Sequence, residues 1–178
     1  MKLYDADRAL VSFKSRKRAF RTHELSLVFG EEGGKLRGTI ARLVKAKSLL
    51  HIARDLYWHN NAEGGMVPAI EEIAVALRPR EMNYISMESA ASLWSVISQI
   101  PVGRITIVTT GKEGEFPTPF GTVEFIHTAR SRQYVLENTV DYPGHALRLA
   151  TKKKVVEDLL RAGRSIELID WEEVEDDE

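Results

Sequence analysis

The sequence has no cysteine, which excludes a disulfide framework, a thiolate nucleophile and any cysteine-ligated zinc or iron–sulfur site. No apolar run approaches the ~20 residues of a membrane span. The opening Met1-Lys2-Leu3-Tyr4-Asp5 lacks the apolar stretch of a signal peptide, so the expected location is the cytoplasm. Glycine (12) and proline (6) are too few for a collagen-like or low-complexity chain. Neither sign of charge dominates, since 25 Lys and Arg face 26 Asp and Glu. What is present, 43% hydrophobic and 29% charged residues in a chain of 178, describes an ordinary globular protein of one domain or two small ones.

The even balance hides an asymmetry. Residues 1–58 carry thirteen Lys and Arg against six Asp and Glu, a net +7, and the remainder carries −8. A basic first third joined to an acidic rest suggests a polyanion-binding module attached to something with another task.

Along the basic segment, Leu3, Ala6, Leu10 and Phe13 recur on one face of a helix. Ser15-Arg16-Lys17-Arg18 interrupts that pattern, and Ala19-Phe20-Arg21 suits a short extended stretch. Thr22 is placed to cap a short helix closed by Gly30; with Leu25 then third in the helix, a strict capping box fails. After the turn Glu31-Glu32-Gly33-Gly34, the spacing of Leu36, Ile40, Leu43 and Val44 predicts a second helix with an apolar stripe. Lys35, Arg37, Arg42, Lys45 and Lys47 occupy its other faces, beside Gly38 and Thr39. Leu49–Ile52 and Leu56–Trp58 then read as a tight hairpin about Ala53-Arg54-Asp55.

This order matches a winged helix-turn-helix, whose second helix enters the major groove of DNA. The expected base- and groove-facing residues are Lys35, Arg37, Thr39, Arg42 and Lys45. The expected phosphate contacts are Arg16, Lys17, Arg18, Arg21 and Arg54, with Tyr57 and His59 on the wing.

Asn60-Asn61-Ala62-Glu63-Gly64-Gly65 reads as a linker, which divides the chain into a winged-helix domain 1–60, a mixed α+β domain 66–171 and an acidic tail 172–178. In the second domain, Val67–Leu77 and Met87–Ser98 have helical spacing. Arg104–Thr110 and Thr122–Thr128 read as a β-hairpin across the loop Gly111–Gly121. Leu147–Leu149 is a short strand, and Thr151 caps a helix closed by Gly163. The fold class expected of the whole is α+β.

Chemistry is sparse. His23, His51, His59, His127 and His145 show no zinc-site spacing and read as surface or structural residues. There is no phosphate-cradling glycine loop and no nucleophile elbow. Lys152-Lys153-Lys154 opens a helix where the macrodipole disfavours cations, which suits either an anionic partner or a solvated first turn. No catalytic, metal or cofactor residue is assigned, and a binding protein is favoured over an enzyme.

Five stretches carry a resemblance: Tyr84-Ile85-Ser86 through Trp94, Ile100-Pro101, Arg104-Ile105-Thr106-Ile107-Val108-Thr109-Thr110-Gly111, Gly121-Thr122-Val123-Glu124-Phe125, and Leu147-Arg148-Leu149-Ala150-Thr151 with Asp158-Leu159-Leu160. In this order, after a winged-helix start, they resemble the AbiEi-type antitoxins of bacterial type IV toxin–antitoxin systems. The resemblance implies a repressor that binds inverted repeats in double-stranded DNA at its own operator. It also implies a C-terminal domain that counteracts a nucleotidyltransferase-like toxin, with or without a stable complex, and no membrane partner. Many relatives continue beyond the point where this sequence stops. Two other readings stand beside it: a ligand-sensing winged-helix regulator with an apolar pocket, and a metal-dependent nuclease built on Glu124.

Overall fold

The spacing of Ala6 and Leu10 forms a helix, α1 (Leu3–Ser12), which buries both side chains. The computed structural model describes residues 1–13, 17–60 and 67–175; the linker from 61 to 66 and the tail from 176 lie outside the described residues. The chain divides into two units, Met1–Met66 and Val67–Glu178, of mixed α+β class.

In the first unit α1 is followed by β1 (Ala19–Arg21), α2 (Thr22–Phe29), α3 (Gly33–Lys45), β2 (Leu49–Ala53) and β3 (Leu56–His59). The three strands form an antiparallel sheet in the order β1-β3-β2, with Trp58 facing Ala19 on one side and Leu50 on the other. The core joins Ala6 and Leu10 to Phe20, Leu25, Phe29, Leu36, Ile40, Leu43 and Leu49, so every helix contributes one apolar stripe. The start of α2 differs from the sequence expectation. Its cap is Arg21, one residue earlier than Thr22, which makes Glu24 the third helical residue. The Glu24 carboxylate accepts the Arg21 backbone N–H at 2.7 Å. This is the carboxylate half of a capping box; an arginine side chain has no acceptor with which to return it.

The second unit runs α4 (Ala69–Leu77), β4 (Asn83–Ile85), α5 (Met87–Leu93), β5 (Arg104–Thr109), β6 (Gly114–Thr118), β7 (Gly121–His127), α6 (Arg132–Glu137), β8 (Thr139–Val140), β9 (Arg148–Ala150) and α7 (Lys152–Ala162). A 3₁₀ turn (Ile166–Leu168) and α8 (Trp171–Glu175) follow, so the expected tail is helical as far as it is described. The strands form a six-stranded sheet in the order β6-β7-β5-β4-β9-β8. Strand β5 is buried continuously from Ile105 to Thr109, as befits a central strand covered on both faces.

Two expectations are corrected. Strands β5 and β7 do not form a hairpin: they are parallel, with Arg104 beside Thr122 and Thr109 beside His127. The expected loop contains β6, which makes the hairpin with β7 on the far side, so the chain leaves β5, skips one position and returns into the gap. Helix α5 ends at Leu93 rather than Ser98, because Ser95 adopts a left-handed φ of +60° and the Trp94 indole N–H turns to the carbonyl of Ala150 at 2.7 Å.

Thr151 does cap α7, accepting the Lys154 N–H, and Gly163 closes it. One glycine is obligatory by contact. Gly121 has φ +116°, and a Cβ there would lie 2.8 Å from the carbonyl oxygen of Gly103. Backbone strain and overlap with backbone act together, so Gly121→Ala is expected to destabilise the second unit by about 2–4 kcal/mol in chemical denaturation.

Candidate nucleic-acid interface

Helix α3 has two faces. Leu36, Ile40 and Leu43 turn into the core at 5%, 6% and 0% exposure. Lys35, Arg37, Arg42 and Lys45 occupy the opposite arc and are exposed, with the small residues Gly34, Gly38 and Ala41 between them. Among the described residues, Lys35 alone of these four approaches a carboxylate, that of Glu31 at 4.0 Å, and its side chain stays 73% exposed. The Arg42 guanidinium is held in place, donating from Nη2 to the Thr39 hydroxyl at 2.9 Å and to the Met1 carbonyl at 3.2 Å.

Thr39 is not on the outer face where the sequence reading put it. It is buried and donates its hydroxyl to the Glu31 carboxylate at 2.6 Å. Its position, three residues after Leu36 and four before Leu43, already places it in the apolar stripe. Glu31 was not foreseen as a functional position. Its carboxylate takes the Thr39 hydrogen bond and that of the chain's amino group at 3.0 Å, and these two bonds hold it below the usual carboxylate range. It thereby ties the turn before α3 to the helix that bears the cations.

The expected phosphate contacts separate. Arg16 lies outside the described residues. Lys17 is exposed but paired with Glu24. Arg18 is corrected to an interior role: it is 7% exposed, with its guanidinium 4.7 Å from the centre of the Trp58 ring, an arrangement that favours packing over phosphate contact. Arg21 is partly buried, 4.0 Å from Asp55. Arg54 is exposed at the turn between β2 and β3. On the same hairpin, His59 is only 1% exposed and lies 3.4 Å from Asp7, so it is not a wing residue, whereas Tyr57 packs beside His51.

The singled-out residues of the second unit are used internally. Lys152 and Lys154 are buried, which fits neither a solvated turn nor contact with an external anionic partner. Lys152 donates to the backbone and carboxylate of Glu173. Lys154 sits 2.8 Å from Asp158, in an approach away from ideal hydrogen-bond geometry. Glu124 accepts from Thr106 at 2.8 Å and from Arg164 at 3.0 Å. Burial acts to raise its pKa, but the bonds from Arg164 and Thr106 outweigh it and keep the carboxyl below its ordinary range. Among the described residues no group of three His, Asp or Glu side chains is placed to share a metal ion. No described helix is long and apolar enough to cross a membrane.

No family model and no curated protein matches the chain. Among solved structures, the RV2827C protein from Mycobacterium tuberculosis is similar in fold, with a TM-score of 0.61 at 13% identity over 87% of this chain and 60% of that one. The chain thus spans about three fifths of the length of that protein, and what the two share is an arrangement of helices and strands.

Proposed function

We propose that the first unit is a winged helix-turn-helix that docks α3 in the major groove of duplex DNA, and that the protein is a repressor of its own operon. The observation that carries this reading is the outer face of α3. Four cations stand there on a helix whose other side is locked into a core, and three of the four form no ion pair among the described residues. The small residues at 34, 38 and 41 keep the middle of that face low, so the helix backbone can sit close to a groove while the longer side chains reach past it. The element order, with two helices before a hairpin and Arg54 at its tip, supports the same docking.

The second unit, on this proposal, counteracts a nucleotidyltransferase-like toxin, as the antitoxin resemblance implies. The DNA-binding reading is tested by titrating a duplex covering the promoter of the protein's own gene at increasing salt. With about four to six phosphate contacts, the log–log slope of affinity against salt is expected at roughly −4 to −5 per protomer. Binding that hardly changes between low and high salt, or no binding at all, would overturn it.

A further inference from the structure

The two most exposed apolar side chains of the second unit, among the described residues, share one loop. Val102 is 92% exposed and Ile100 77%. Ile100, Leu93 and Phe120 line a groove of about 310 Å³, and Val102 lies in the chain between the lining residues Pro101 and Gly103. Single exposed apolar residues need no explanation, but a contiguous set around a concavity marks a contact surface.

The charges in the network beside one lining residue, Arg104, are unequal. Arg104, which lines the groove, lies 2.6 Å from Glu115 and 3.5 Å from Glu124. Glu124 also binds Arg164 at 3.0 Å, and Arg164 binds Glu88 at 2.9 Å. Three carboxylates therefore share two guanidiniums. A further carboxylate, Glu71, is 3% exposed in the wall and is met by His145 at 2.5 Å and the Ala146 N–H at 2.9 Å. The groove lining is mostly apolar, and the ion-pair network that reaches it through Arg104 holds one carboxylate more than its guanidiniums.

We propose that this groove seats a segment of a partner protein whose apolar anchor side chains are flanked by lysine or arginine. A small molecule sunk in the cavity would leave Val102 and the outer part of Ile100 in water, whereas a chain lying across the groove covers both. A second copy of this protein, docked symmetrically, would bring the surplus carboxylate of one network towards that of the other. A basic segment meets both demands, placing its anchors in the groove and its cations beside Glu115, which is 55% exposed. The inference does not depend on DNA binding by the first unit.

The test is a titration of the full chain, labelled for amide NMR, with two synthetic amphipathic peptides of the same leucine pattern, one Leu/Lys and one Leu/Glu. The Leu/Lys peptide is expected to shift the amides of Leu93, Ile100, Val102 and Gly103, with an affinity that falls as salt rises. The Leu/Glu peptide should act on those amides at least about tenfold more weakly, even if it binds the basic first unit. Ile100→Asn with Val102→Asn should lower Leu/Lys affinity at least about tenfold while the amides of Ile107 and Phe125 stay in place. Should that variant fail to fold, Glu115→Lys on the exposed rim serves instead, with the same direction of change. Equal response to both peptides, or none, overturns the proposal. So does a response to the dye 8-anilinonaphthalene-1-sulfonate without one to the Leu/Lys peptide, which would make the groove a small-molecule pocket. Shifts of the same amides on raising protein concentration alone, abolished by the variant, would assign the groove to self-association and overturn it too.

Discussion

Replacing Asp158 with alanine is expected to destabilise the second unit by about 3–5 kcal/mol, because it strands a buried cation. Lys154 is 1% exposed, and Asp158 is its partner at 2.8 Å. Asp158 also receives the Ser86 hydroxyl at 2.7 Å and faces the Tyr84 phenol at 3.4 Å. What remains to Lys154 after the substitution is the half-exposed Glu157 at 3.3 Å and the face of Tyr134, whose centre is 5.1 Å away. Burial pulls the Lys154 ammonium down, but Asp158 outweighs it and holds it above its ordinary range. Burial, then the same carboxylate, pushes the Tyr84 phenol up.

The sign of the pH dependence follows. A raised lysine contributes its stability below the ordinary value of 10.5 and loses it as pH climbs through the higher native value. Thermal unfolding followed by circular dichroism should therefore show the intact protein, and not Asp158→Ala, losing this increment in alkali. Lys154→Met with Asp158→Leu removes both charges and should cost much less than the single change. A loss below about 1 kcal/mol in Asp158→Ala would show that the pair is hydrated and that the burial argument fails.

Removing two outward cations from α3, Arg37→Ala with Lys45→Ala, is expected to weaken binding to the promoter duplex by about 30-fold to about 20,000-fold, on 1–3 kcal/mol for each contact. Neither side chain approaches a carboxylate among the described residues, so the loss should fall on binding rather than on stability. If both contact phosphate, the salt slope flattens by about two. If one reads a base edge, the loss is confined to the specific duplex. Arg18→Ala provides the contrast: the residue packs on Trp58, so its removal should lower the melting temperature of the first unit and leave the salt slope alone. Unchanged affinity in the double variant would place the DNA-binding surface elsewhere.

How far residues predict structure differs between the two units. The first is local in construction, since each helix needs only one amphipathic stripe and each turn its own residues. Leu36, Ile40 and Leu43 are enough to orient α3 and to decide which cations face outward. The same stripe also accounts for Thr39, whose polar hydroxyl is satisfied by Glu31 eight residues away. Arg18 was not legible in this way, because its burial depends on Trp58, forty residues later and across a strand pair.

The second unit is governed by such distant partners. The alternating residues of β7 identify a strand, but nothing in Arg104–Thr110 or Thr122–Thr128 reveals that β6 will take the outer position and leave the two parallel. Strand pairing of that kind is chosen by the assembled sheet, not by local preference. At α7 the cap and the closing glycine were readable. The inward turn of Lys154 has a signature only in retrospect, an acid four residues on beside Val155 and Leu159.

The placement of β4 between β5 and β9 has a consequence for synthesis on the ribosome. The first unit has all its strands once residue 59 has emerged, but one edge of β4 waits for Arg148–Ala150, more than sixty residues later. At about 5–20 residues per second that interval lasts on the order of 3–13 s. Through it the nascent chain carries a finished cationic module ahead of an incomplete sheet, so the DNA binding proposed for the first unit would precede completion of the second.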